Sequence, residues 1–229
     1  MPILPPAAPG VRVVSPVTAD AVDSLRLVLL VAYLQSELYS RAVGAAGFVA
    51  AADAIVFGTL STQETNHVAS LAALLTARLA PVPPRPTFDF TVKGALPGFA
   101  FAAGQYETFR MLAQAFEDLS VRTYKGQVQA LVADKTALNA ALAIHAVEAR
   151  HAAEVRRIRG KKGWITGSNR EDLPAFLQPI YAGEELTTQG TVDVAAGVGE
   201  LGGAEAASQA FDEPLTAAQV TAIITPFIA

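Results

Sequence analysis

Two Glu-x-x-His pairs lie far apart in the chain, at Glu64/His67 and Glu148/His151. Each follows a solitary Glu: Glu37 precedes Glu64 by 27 residues, and Glu117 precedes Glu148 by 31. One unit is thus written twice. Glu at i and His at i+3 leave one side of a helix, one turn apart. A helical hairpin with Glu on its first helix and Glu-x-x-His on its second satisfies the pattern. Two such hairpins supply four carboxylates and two imidazoles, the ligand set of carboxylate-bridged di-iron and di-manganese four-helix bundles.

The apolar pattern supplies the four helices. The first is expected over 20–44, with Thr18 or Asp20 as its cap and a stripe Leu30, Tyr33, Leu34, Glu37, Arg41. The second is expected over 53–79, with the stripe Leu60, Glu64, His67, Leu71, Leu74, and Pro81, Pro83, Pro84 and Pro86 end it. The third is expected over 105–131, with Glu117, Val121 and Tyr124 on its stripe and a disturbance at Gly126. The fourth is expected over 134–159, with the stripe Ala141, Ile144, Glu148, His151, Val155, Ile158. Arg156, Arg157 and Arg159 suit its C-terminus, and Gly160 stops it.

Residues 80–104 make a connection far longer than neighbouring helices need. A bundle whose second and third helices run the same way requires that crossover. The expected organisation is all-α: an extended Pro-rich segment at 1–17, a bundle over 18–160, and a C-terminal extension over 161–229. A short helix is expected within 173–181. A capping box, Thr216 with Gln219, opens a terminal helix through the apolar run 220–228.

Charge supports a metal. Four carboxylates buried without compensation would be very costly, and several would protonate instead. Two divalent ions cancel them. Carboxylates suit Fe or Mn, and imidazole keeps Fe competitive. The expected ligands are Glu37, Glu64, His67, Glu117, Glu148 and His151. Glu37, Glu64, Glu117 and Glu148, with Tyr33 and Tyr124 nearby, are the groups expected to carry the chemistry. Asp118 neighbours Glu117, so a small rotation of the third helix would exchange them. His145, one turn before Glu148, is expected in the core or behind the ligands.

Other classes are excluded or unsupported. The net charge of −4 carries no block of like charge, so nothing recommends a nucleic-acid partner. No cysteine is present, which excludes disulfides, thiolate ligands and cysteine catalysis. The longest strongly apolar stretch, 27–34, lies between Arg26 and Gln35 and is too short to span a membrane. The start lacks the basic and apolar regions of a signal peptide. A full-length chain is therefore expected in the cytoplasm, and an exported one if a leader has been trimmed.

Three segments resemble a known family. Residues 116–126 (FEDLSVRTYKG), residues 144–153 (IHAVEARHAA) and residues 211–216 (FDEPLT) ahead of a helix ending Pro226-Phe227-Ile228 are similar to bacterial ferritin-like-domain proteins related to plant desiccation-related proteins. The resemblance implies a left-handed four-helix bundle and Fe or Mn ligation by the six residues above. The expected function is reaction with O2 or peroxide, as a ferroxidase, peroxidase or manganese-catalase-like oxidoreductase in oxidative or desiccation stress. The alternative is a non-enzymatic stress-protection scaffold with a structural or vestigial site. The Ala-rich surfaces suit a homo-oligomer. The long C-terminal extension argues against an iron-storage shell.

Overall fold

The computed structural model describes residues 19–189 and 191–229. The expected N-terminal segment 1–17 and the cap Thr18 lie outside the described residues. Four long helices carry the fold: α1 (Ala19–Gly44), α2 (Ala54–Thr76), α3 (Tyr106–Leu131) and α4 (Lys135–Ile158). α1 packs along α2, α3 along α4, and α1 against α3, while α2 and α4 touch little. Among the described residues no helix is long and apolar enough to cross a membrane.

Local chemistry sets the helix ends. Asp134 caps α4, its side chain accepting from Ala137 N at 3.0 Å. Arg78 holds the same carboxylate, at 2.5 Å through Nε, which ties the end of α2 to the start of α4. The Pro-rich crossover over 77–105 is a packed layer. Phe88, Phe90, Phe99 and Phe101 are buried in it, and Arg41 lies over the Phe101 ring at 4.6 Å. At Phe88 the crossover bridges Ile228 of the C-terminus in antiparallel fashion. Asp89 N donates to Phe227 O at 2.8 Å and Ala229 N to Thr87 O at 3.0 Å.

The C-terminal extension wraps the α1–α3 side. It contains a 3-10 turn at Ala175–Ile180, a two-residue antiparallel pair (Thr188–Gln189 with Val192–Asp193), α5 (Gly203–Gln209) and α6 (Ala217–Ile224). The strands and α5 are additions to what the sequence suggested. The capping box forms: Thr216 Oγ1 accepts from Gln219 N, and the Gln219 side chain accepts from Thr216 N. Buried arginines anchor the extension. Arg122 of α3 donates to the carbonyls of Glu213, Ile180 and Ala182 and pairs with Glu184 at 2.6 Å.

Gly126 does not disturb α3, which runs straight through it. Its role is clearance. A Cβ there would stand 2.0 Å from the Leu215 carbonyl oxygen, where the extension crosses the helix.

Candidate metal centre

Five of the six expected ligands meet at mid-height of the bundle. Glu64 and His67 from α2, Glu117 from α3, and Glu148 and His151 from α4 are all buried. Ligand atoms of Glu64, Glu117, Glu148 and His151 lie within 4.8 Å of one another. His151 Nδ1 stands 3.0 Å from Glu64 Oε1 and 3.6 Å from Glu117 Oε2. His67 Nδ1 stands 2.8 Å from Glu148 Oε1 and 3.4 Å from Glu64 Oε2. The two imidazoles stack with centroids 6.0 Å apart. Glu64 therefore faces both rings, one through each oxygen.

Glu37 does not join them. It points outward, paired with Arg85 at 3.0 Å, and its side chain is 31% exposed. α1 brings Gln35 instead, fully buried, with Nε2 donating to Glu117 Oε2 and Glu148 Oε2, each at 3.0 Å. The reason lies in helical geometry. Residues two apart leave a helix on nearly opposite sides, so only one of Gln35 and Glu37 can face in. α1 is apolar almost all round, with Leu25, Leu29, Val31, Leu34 and Leu38 buried, because neighbours cover it on several sides. A helix apolar on every side does not announce its inner face. The usable signal was the spacing Val28, Ala32, Gln35, Tyr39, Ala42, a stripe with one isolated amide.

Of the two tyrosines expected near the site, Tyr33 is placed elsewhere and Tyr124 is nearby. Tyr33 lies away from the cluster: its hydroxyl donates to Pro83 O at 3.1 Å, and Arg85 covers its ring at 5.2 Å. Tyr124 is buried, and its hydroxyl has no hydrogen-bond partner among the described residues. Burial and the charges of Glu148 and Glu64 push its pKa up, so it lies within electrostatic reach of the site. The tyrosine in direct contact is Tyr39, whose hydroxyl donates to Glu117 Oε1 at 2.5 Å. Asp118, the neighbour that could have replaced Glu117, is held away by Arg156 (2.6 Å) and by the Tyr181 hydroxyl (2.7 Å). His145 is half-buried, and its pKa is lowered by burial; the charges bearing on it are Asp212, Lys125 and Glu148, and its Nε2 has no hydrogen-bond partner among the described residues.

The protonation pattern is that of a crowded acidic site. Burial alone would lower both imidazoles. The Glu148 and Glu64 carboxylates outweigh it at His67 and hold its pKa at about 9. Glu117 and Glu64 do the same at His151, at about 11. Burial drives Glu117 well above the usual carboxylate range. Glu148 sits below that range because His67 and His151 overcome its burial. Without a cation, the cluster neutralises itself with protons.

The donor set fits a hard or borderline divalent ion. Carboxylate oxygens and imidazole nitrogens converge, no thiolate competes, and Gln35 Oε1 is buried beside them with no partner among the described residues. The site has an approach. A cleft of about 280 Å³ opens between α2 and α4, walled by Leu60, Gln63, Val147, Arg150 and Glu154, with His151 on its lining. Gln63 Oε1 meets His151 Nε2 at 2.5 Å and fixes the ring with Nδ1 turned inward.

The profile of the family described as "Ferritin-like domain" matches residues 20–161, a span that holds all four long helices and the whole cluster. The chain belongs to the ferritin-like domain family. No curated protein matches it. For this ferritin-like chain, the repeated hairpin unit, the long crossover and the mid-bundle acidic cluster are one architecture. The extension beyond residue 161 lies outside the matched span.

Proposed function

We propose that this ferritin-like protein binds Fe or Mn at the mid-bundle cluster and uses it to consume O2 or peroxide, in protection against oxidative or desiccation stress. The observation that carries the reading is a buried convergence of three carboxylates and two imidazoles beside a solvent cleft. Burial at this cost is difficult to account for as packing alone.

A bound Fe or Mn ion supplies a redox change and Lewis acidity. The chain's own residues do the rest. Glu64, Glu117, Glu148 and His151 would hold the ion, with His67 beside Glu148 and Glu64. Gln63 orients His151, and Tyr39 and Gln35 orient Glu117. His67, outside the four residues that would hold the ion, can hold and return a proton beside Glu148 and Glu64. Tyr39 is the phenol placed to donate a proton or an electron through Glu117. Leu60 and Val147 line the approach and limit water.

The second reading is a stress-protection scaffold in which the ion is structural or vestigial. Gln35 in place of a fourth carboxylate favours it. Loading the protein with Fe(II) or Mn(II), removing excess ion and timing peroxide and O2 consumption separates the two. The redox reading expects consumption faster than by the same amount of free ion, abolished in Glu148→Ala. Retained metal with no consumption, and a melting temperature that falls sharply on chelation, leaves the scaffold.

A further inference from the structure

The two imidazoles are not equally provided for. His151 belongs to a complete set: its own nitrogen and oxygens of Glu64, Glu117 and Glu148 form one group within 4.8 Å. Among the described residues, the carboxylates close to His67 are Glu148 and Glu64, which the first set already uses. The repeated hairpin unit shows what is missing. In the second hairpin, α3 gives Glu117 to the Glu148/His151 helix. In the first, α1 brings Gln35 to the centre in place of a Glu, and its amide bonds Glu117 and Glu148 of the second hairpin.

An amide differs from a carboxylate in two ways that matter here. It brings no negative charge. Its Nε2 also donates to Glu117 Oε2 and Glu148 Oε2 at 3.0 Å each, so it turns hydrogens toward the centre where a ligand carboxylate would turn lone pairs. Three carboxylates carry a charge that one divalent ion leaves slightly negative, facing the donors of Gln35 and Tyr39. Two divalent ions would leave the buried centre net positive, with an amide where a counter-charge belongs.

Resting on the metal reading above, we infer that this centre retains a single ion, on Glu64, Glu117, Glu148 and His151, and that Gln35 keeps the His67 half from retaining a second. The ferritin-like bundle is thereby converted from a two-ion frame to a one-ion site by one residue. Gln35 acts as a positioning residue: it holds Glu117 and Glu148 toward the ion that is kept.

The test is a metal count. The protein is loaded anaerobically with excess Mn(II), passed through a desalting column, and examined by elemental analysis and electron paramagnetic resonance. The expectation is about one Mn per chain, with the hyperfine spectrum of an isolated ion, and about two per chain with the spectrum of a coupled pair in Gln35→Glu. About two coupled ions in the unmodified protein would overturn the inference and leave the metal reading standing. No retained ion in either protein overturns both. Should Gln35→Glu not fold, a second pair decides: His67→Gln is expected to keep its ion and His151→Gln to lose it. The reverse order overturns the assignment.

Discussion

The Tyr39 hydroxyl donates to Glu117 Oε1 at 2.5 Å, from one turn beyond Gln35 on the same helix. α1 therefore grips the carboxylate of α3 at both oxygens, Gln35 at one and Tyr39 at the other. The helix that lacks a ligand carboxylate orients a neighbour's. Tyr39→Phe tests that role cleanly, because the ring contacts with Phe57 and Phe109, each at 6.1 Å between centroids, survive the change. The loss of one buried bond is expected to cost about 1–2 kcal/mol in a urea melt of the ion-free protein. Mn(II) affinity is expected to weaken roughly tenfold, as for other groups that orient a ligand. An unchanged affinity would remove Glu117 from the ligand set.

Glu37 and Glu117 make a contrasting pair. Both stand as solitary Glu ahead of a Glu-x-x-His motif, yet one is 31% exposed in a pair with Arg85 and the other is fully buried. Glu37→Ala is expected to change stability by less than about 1 kcal/mol, the usual worth of an exposed pair, and to leave the metal content alone. Glu117→Ala is expected to abolish retention of the ion. Elemental analysis of the two variants side by side reads the difference. Loss of metal in Glu37→Ala would restore the six-ligand set expected from sequence.

That contrast also shows what the sequence could and could not say. The Glu-x-x-His pairs put Glu64, His67, Glu148 and His151 on one level because i and i+3 share a helix face whatever surrounds them. Glu117 is harder to read, since Asp118 is adjacent; the choice is made by Arg156 of α4 and Tyr181 of the extension, which claim Asp118. α1 was not legible in the same way. Its apolar surface extends all round because the crossover and α6 cover it, and those contacts arise from residues distant in sequence. Hairpin register does not separate them either, because Glu37 and Gln35 give midpoints with Glu64 that differ by a single residue. Tyr39 is illegible in sequence for the same reason as Gln35: both belong to a stripe that only the packed bundle selects.

Ion binding should compete with protons well above neutral pH. His67 is held at about 9 and His151 at about 11, against burial, by neighbouring carboxylates. Both imidazoles of the ion-free protein therefore carry protons at neutral pH, and an ion on His151 must displace one. Apparent Mn(II) affinity is expected to tighten roughly tenfold per pH unit for each proton displaced, with no plateau between about pH 6 and 8. Calorimetric titration in buffers of different ionisation enthalpy counts the protons directly. Affinity that levels off above about pH 6.5, the ordinary imidazole value, would show that the carboxylates do not hold these protons.

Gly126 offers a prediction whose sign carries the answer. In the interior of an exposed helix, Gly→Ala stabilises by up to about 1 kcal/mol, because Ala loses less backbone freedom on folding. At position 126 the added methyl would meet the Leu215 carbonyl oxygen at 2.0 Å, and that contact is backbone, which cannot swing aside as a side chain could. Leu215 is itself fixed, its N donating to Arg122 O at 3.1 Å and its side chain buried. Gly126→Ala must therefore lift the strand entering α6 off α3, weakening the bond to Arg122 O and the seat of the terminal helix. The expected result is a loss of about 1–3 kcal/mol in a denaturant melt, with faster proteolytic cutting beyond residue 210. The four long helices should keep their circular dichroism, since their packing does not pass through this contact. Were the extension not seated on α3 in solution, the same substitution would raise stability instead, and the measured sign distinguishes the two arrangements.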